Sequence, residues 1–484
     1  MHTRHPNTFR IRVRWLLPSV IGALLAAGPA PAPAAAKGVP PPSEGDMQTV
    51  TIHPDRPLGN ADNHLLGLLH GVSYERGGDY TRANDLLGAL RPNSWRVSTY
   101  GGVMEYLQVE ARFPQRFKTR LVFVIQDAFN KRYDQNIKVG PQFSKRDRGA
   151  FPTDEALEEA WRQNIRDVVG ALQKKQIPVA YYDIFSEPNR GFEGLRPPDF
   201  LTLLKASVEE IRALDKNAKI VVPSLSFFSP KSLGGLFDYA VRNNIKLDAV
   251  CWHELDYAFQ QERSIQPDEL ADHVTLVRQL MREKLKCSDR DAPEIHINEY
   301  QWMDGYYSPG VTAGWLYYLT KSGVVQASRA CWEFQEGRKE WSTCWNSFCG
   351  LLTSDNQHPT ALYWVYRGYS DMSGRLVDAS TSDKRTVALA SIDPAKKEMR
   401  VTLGRYGQDG TSPVRLTIAS PPLAGQEVHA TLYRIPAPDG RDQARGKPVV
   451  AFDRNQTLPK GDLSFVIKEF ANDEAYILVL KPAS

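Results

Sequence analysis

The chain has 484 residues, 42% hydrophobic and 24% charged, a globular balance that excludes a disordered or fibrous protein and suits one large domain plus a smaller one. Lys and Arg number 60 against 56 Asp and Glu, but Arg4, Arg10, Arg12 and Arg14 fall in the first 36 positions, which hold no acid. The remainder is neutral, so charge makes no case for nucleic acid as a partner.

Positions 1–36 read as a signal peptide: a basic stretch to Arg14, an apolar run from Trp15 to about Ala27, and a small-residue tract ending in Ala34, Ala35 and Ala36. The apolar run is short and broken by Pro18, so no membrane attachment is expected after cleavage, and a secreted or periplasmic protein follows. Pro-rich residues 37–46 form a linker.

From 47 to 370, short β-branched runs alternate with amphipathic stretches, the pattern of a parallel α/β fold. Eight strands are expected at 65–69, 94–98, 120–125, 179–185, 219–223, 248–252, 294–298 and 327–332. Between them, 155–174, 198–215 and 267–286 have helical spacing; in the first, Leu157, Trp161, Ile165, Val168, Val169 and Leu172 share one face. Eight such units, with no GxGxxG turn after the first strand, predict a (β/α)8 TIM barrel rather than an open sheet. Beyond 370, six alternating runs separated by Pro/Gly/Asp turns predict a C-terminal antiparallel β-sandwich over 371–484, which residues 48–53 can complete. No linker separates it from the barrel, which favours rigid packing.

Reactive groups of such a barrel stand where strands end. Those ends carry Arg96, Gln126 and Asp127, Ser186, Glu187 and Asn189, His253 and Glu254, Glu299 and Tyr300, and Trp332 and Glu333. Glu187 and Glu299, on non-adjacent strands, face a common mouth, as glycosidic hydrolysis needs: one carboxyl protonates the leaving oxygen while the other attacks or activates water. A single strand-end Glu can instead pair with an Arg such as Arg96, and Glu254 and Glu333 compete for the second role. Asp183, four residues before Glu187, reads as a deeper structural acid. His253 lacks a second His at helical spacing, and His296 and Glu299 are oddly spaced on a strand, so no metal site is expected, and no cofactor. Of five cysteines, Cys344 and Cys349 share a loop and can close a disulfide, while Cys251 and Cys331 read as core residues.

The segment Tyr-Tyr-Asp-Ile-Phe-Ser-Glu-Pro-Asn (181–189) resembles the fourth-strand acid/base motif of clan A glycoside hydrolases, and Ile-His-Ile-Asn-Glu-Tyr (295–300) resembles their nucleophile motif. Trp332 and Arg96 fall where the clan places a Trp and an Arg. Gly-Leu-Leu-Thr-Ser-Asp (350–355), followed by Ala361, Leu362, Tyr363 and Trp364, is similar to the barrel-to-sandwich passage of families 39, 51 and 79, family 39 most of all. The resemblance implies a retaining β-glycosidase with Glu187 as acid/base, Glu299 as nucleophile and Trp332 under the sugar. Arg96, Gln126, Asp127, Ser186, Asn189, His253, Tyr300, Trp302 and Trp332 would contact or position an oligo- or polysaccharide from a plant wall or bacterial exopolysaccharide. Ser186 departs from the clan, which has Asn there to grip the sugar 2-hydroxyl. The Lys/Arg-rich loop 127–153 raises a β-glucuronidase-type alternative acting on acidic saccharides. A non-catalytic saccharide-binding protein on the same scaffold is the third reading. Trp302, Tyr306, Tyr307, Trp341, Trp345 and Phe348 either build subsites or pack on one another.

Overall fold

The computed structural model describes residues 47–70, 80–97, 112–125, 153–188, 197–255, 264–301, 303, 305–336, 339–344, 346–438 and 447–483. Strand β1 (Gln48–Asn60) precedes eight parallel strands that close into a barrel in chain order. They are β2 (Gly67–Leu69), β3 (Ser94–Val97), β4 (Arg120–Ile125), β5 (Tyr181–Ile184), β6 (Lys219–Leu225), β7 (Ala249–Glu254), β8 (Glu294–Tyr300) and β9 (Gln326–Arg329). The helices are α1 (Thr81–Leu90), α2 (Arg112–Phe117), α3 (Asp154–Lys174), α4 (Pro197–Leu214), α5 (Pro230–Arg242), α6 (Leu270–Leu280), α7 (Pro309–Lys321) and α8 (Ala361–Ser370). The fold class read from the sequence is the one observed.

Local chemistry explains the helices. Thr153 caps α3 by accepting from the Ala156 N–H at 3.2 Å, and the six apolar residues of its predicted face are all buried. The barrel closes where β2 meets β9 because position 67 is glycine; a Cβ there would stand 2.1 Å from the Ala327 carbonyl oxygen. Inside, a small apolar cluster (Val122, Tyr181, Val221, Ala249, Cys251) lies among fully buried polar groups, including Asp183, His296 and Asn298.

After β9 comes a hairpin, β10 (Glu333–Glu336) and β11 (Lys339–Ser342). The remaining strands are β12 (Arg375–Thr381), β13 (Thr386–Asp393), β14 (Glu398–Arg405), β15 (Thr411–Ile418), β16 (Glu427–Ile435), β17 (Val449–Thr457), β18 (Leu463–Ala471) and β19 (Ala475–Pro482). With β1 they form one nine-stranded sheet, ordered β17-β16-β19-β14-β13-β12-β1-β15-β18, antiparallel except where β1 meets β15. The sheet curls until its edges meet: Phe452 of β17 stacks on Phe465 of β18 with centroids 5.4 Å apart. Its inner face buries its own core, while Val387, Leu389, Tyr406 and Ile477 join the barrel core beside Trp315 and Tyr369. Gly310 permits this contact, since a Cβ there would lie 2.0 Å from the Arg405 carbonyl oxygen.

Candidate active site

The ends of β3, β5, β7 and β8 bring five predicted residues together. Arg96 uses three nitrogens on three partners: Nε donates to Asp183 at 2.8 Å, Nη1 to Glu299 at 2.8 Å and Nη2 to Ser186 Oγ at 3.2 Å. His253, fully buried, places Nδ1 3.2 Å from Glu187 and 3.8 Å from Glu299. One donor atom from each of Glu187, His253 and Glu299 lies within 4.8 Å of the others. The two carboxylates retain 15% and 18% side-chain exposure, so they stand at the mouth, whereas Arg96 and Asp183 are sealed beneath them.

Irregular backbone sets these directions. Along β7 and β8, Trp252 pairs with Ile297 but His253 pairs with Glu299; along β8 and β9, Ile297 pairs with Ala327 and Tyr300 with Arg329. Strand β8 therefore carries one extra residue, a bulge at Asn298, which lets consecutive Asn298 and Glu299 both face the interior. On the other side, Phe185 and Glu187 adopt the left-handed region, with φ of 63° and 56°. Such conformations cost about 1–3 kcal/mol and persist where surrounding structure enforces them. Here Phe185 stacks outward on Trp161, and the Glu187 N–H donates to the Ser224 carbonyl at 2.8 Å.

The bulge corrects one expectation. Tyr300 is no part of the cleft: it is fully buried on the outer face of β8, its hydroxyl paired with Tyr366 and its ring against Trp315. Glu254 likewise points outward from β7, bonded by Trp252 Nε1 and within 2.9 Å of His273 Nδ1, which removes it as a second carboxylate. Asp183 is fully buried, accepting from Arg96, Ser224 and Asn298. Trp332 stands at the end of β9 with its indole N–H donated to the Gln301 carbonyl at 3.1 Å. Gln126, Asp127, Asn189, Trp302, Trp345 and the basic loop 127–153, apart from Thr153, lie outside the described residues, as do the side chains of Glu333 and Trp341.

The disulfide also differs from expectation. Cys331 pairs with Cys344, their Cα atoms 4.7 Å apart, whereas Cys349 is buried and donates to the Leu69 carbonyl. The bridge flanks Trp332, whose backbone exchanges hydrogen bonds with Thr343. Tyr306 and Phe348 are buried, so the packing reading holds for them.

Two participants were not among the predicted site residues. Asn298 lies two residues after His296 on β8 and shares its inward face, bonding Asp183. His70 terminates β2, its N–H donating to the Arg96 carbonyl; burial, then the Arg96 charge, pushes its imidazole down to about 3, so it is neutral. The group Glu187, His253 and Glu299 also has the donors to hold a metal ion. Spacing along the chain concealed this arrangement. A metal on Glu299 would share that carboxylate with the Arg96 guanidinium, and the two cations repel.

No protein-family model and no curated protein sequence matches the chain. Solved structures do. The chain is similar to N2152 from Neocallimastix frontalis at 20% identity and a TM-score of 0.70, covering 90% of this chain and 100% of that one. A monomeric β-xylosidase from Caulobacter crescentus gives 12% identity and 0.65 over the same shares. The GH39 enzyme from Xanthomonas axonopodis pv. citri gives 14% and 0.63, covering 90% of this chain and 97% of that one. At such identities the likeness is one of fold, a barrel with an appended β-sheet domain that this chain shares with a β-xylosidase and a GH39 enzyme. Among the described residues no helix is long and apolar enough to cross a membrane.

Proposed function

We propose that the protein is a retaining glycoside hydrolase acting on a β-linked saccharide of the plant-wall or bacterial exopolysaccharide type. The observation that carries this reading is the pair of partly exposed carboxylates, Glu187 and Glu299, with oxygens within 4.8 Å of each other at a barrel mouth. Retaining enzymes hold their carboxyl groups about 5–5.5 Å apart, whereas inverting enzymes leave about 6.5–9.5 Å for a water.

In this mechanism Glu299 attacks the anomeric carbon while Glu187 protonates the leaving oxygen, giving a glycosyl ester on Glu299. Glu187 then takes a proton from water, which attacks the anomeric carbon and frees Glu299. His253 touches Glu187 and faces Glu299, so it can hold both through the cycle. Trp332 supplies an apolar face for the sugar, fixed by its bond to Gln301. Similarity to a β-xylosidase and a GH39 enzyme supports a saccharide substrate. The basic, apolar and Ala-rich character of positions 1–36 supports export, which N-terminal sequencing of the mature protein tests.

The function itself is tested by hydrolysis of aryl β-xyloside, glucoside, galactoside and glucuronide, with several polysaccharides, by wild type and Glu299→Gln. Activity in the wild type should fall by roughly 10⁴-fold or more in the variant, as for loss of a nucleophile. Retained activity in Glu299→Gln would refute the assignment.

A further inference from the structure

Asp183 touches neither the cleft nor any reacting atom, yet among the described residues it accepts more side-chain hydrogen bonds than Glu299 does. It accepts from Arg96 Nε at 2.8 Å, Ser224 Oγ at 2.6 Å and Asn298 Nδ2 at 2.8 Å, and none of the four side chains is exposed. The consequence lies at Arg96. A free guanidinium meets a carboxylate with two parallel N–H groups, a fork that would neutralise Glu299 strongly. Here Nε is held by Asp183 and Nη2 by Ser186, so Glu299 receives a single N–H, from Nη1. The bulge turns Glu299 inward directly beside Asn298, which bonds Asp183, so consecutive residues of β8 serve both acids.

We propose that Asp183 is a positioning residue that acts through Arg96, dividing the guanidinium between two acids so that Glu299 keeps a reactive, singly bonded carboxylate. This rests on Glu299 being the nucleophile. With Asp183 neutral, the whole Arg96 charge and a second N–H become available to Glu299, and its carboxylate becomes less basic. Among the described residues, Glu299 faces Arg96 from β3, Glu187 beyond β5, His253 from β7 and Cys349 beyond β9. Arg96 in turn faces Asp183 from β5, His70 beyond β2 and Cys251 from β7. Of these groups only Asp183 and Glu299 bring negative charge to the guanidinium, since burial keeps the Cys251 thiol protonated.

The test compares Asp183→Asn, Ser224→Ala and Asn298→Asp with wild type. Two readouts are taken: 13C NMR titration of protein labelled at glutamate carboxyls, with Glu299→Gln assigning the resonance, and the pH profile of kcat/KM on whichever aryl glycoside is cleaved. Asp183→Asn should move the Glu299 titration and the acid limb to lower pH by roughly half a unit or more. Ser224→Ala, which removes a hydrogen bond but no charge, should leave both in place. Asn298→Asp, which adds negative charge to the same cluster, should move both to higher pH and decides the matter if Asp183→Asn does not fold. Unmoved titrations in both charge variants, or movement of the wrong sign, would overturn the proposal. The NMR readout needs no substrate, so a protein that cleaves nothing refutes the glycosidase reading while still deciding the Asp183–Arg96–Glu299 coupling.

Discussion

The two ends of the barrel interior use the same residue types to opposite effect. At the floor, Glu294 accepts from the Tyr181 hydroxyl at 2.6 Å, Lys219 Nζ at 2.5 Å and His296 Nε2 at 3.1 Å. Burial alone would raise its pKa, but these three partners hold it down at about 2. At the mouth, Glu299 accepts one hydrogen bond among the described residues, from a guanidinium shared with Asp183, and stands within 4.8 Å of Glu187. A carboxylate whose lone pairs are filled is a structural anion. One left partly unfilled and facing a second carboxylate is equipped to react. Saturation, rather than residue identity, separates the ends, as expected of a fold whose C-terminal face carries chemistry and whose N-terminal face carries stability.

Glu187→Ala breaks the mouth without disturbing the floor. It should slow glycosides with poor leaving groups by about 10²–10⁴-fold, the range of general acid catalysis, and activated aryl glycosides much less. Parallel initial rates on the two substrate types check this, and equal loss on both would remove Glu187 as the acid. Next in size is Arg96→Met, which leaves Asp183 and Glu299 without their buried cation. A loss of about 3–5 kcal/mol is expected, read from the urea midpoint.

The smallest effect belongs to the floor. Because the folded pKa of Glu294, about 2, lies below its ordinary 4.5, its stabilisation is complete above about pH 4.5 and is lost as pH falls towards 2. Glu294→Gln should flatten that part of the stability profile, by about 2 kcal/mol for a group a quarter exposed, and leave turnover unchanged. Melting curves from pH 2 to 7 in both proteins supply the comparison. A turnover defect in Glu294→Gln would erase the distinction between the ends.

Much of the architecture was legible because strand and helix periods survive in the sequence. The apolar face of α3 and the eight β-branched runs need only local spacing to be seen, and Glu187 and Glu299 stand where those runs stop. Tyr300 shows where that reading fails. Regular alternation cannot reveal an inserted residue, and the bulge at Asn298 moves Tyr300 to the helix side. The disulfide failed for a related reason: Cys344 and Cys349 are close in sequence, but the β10–β11 hairpin brings Cys344 back to Cys331. Ser186 was recognised as unusual, yet only three dimensions show its hydroxyl engaged by Arg96 instead of free in the cleft.

The most direct test of a retaining mechanism is the stereochemistry of the first turnover. The anomeric proton of the sugar released from an aryl β-glycoside is followed by 1H NMR before mutarotation sets in. Carboxylate oxygens within 4.8 Å predict that the β-anomer appears first, through a glycosyl ester on Glu299. Initial release of the α-anomer would mean that water attacks directly, and would contradict the nucleophilic role of Glu299 and the role of Glu187 as base in a second step.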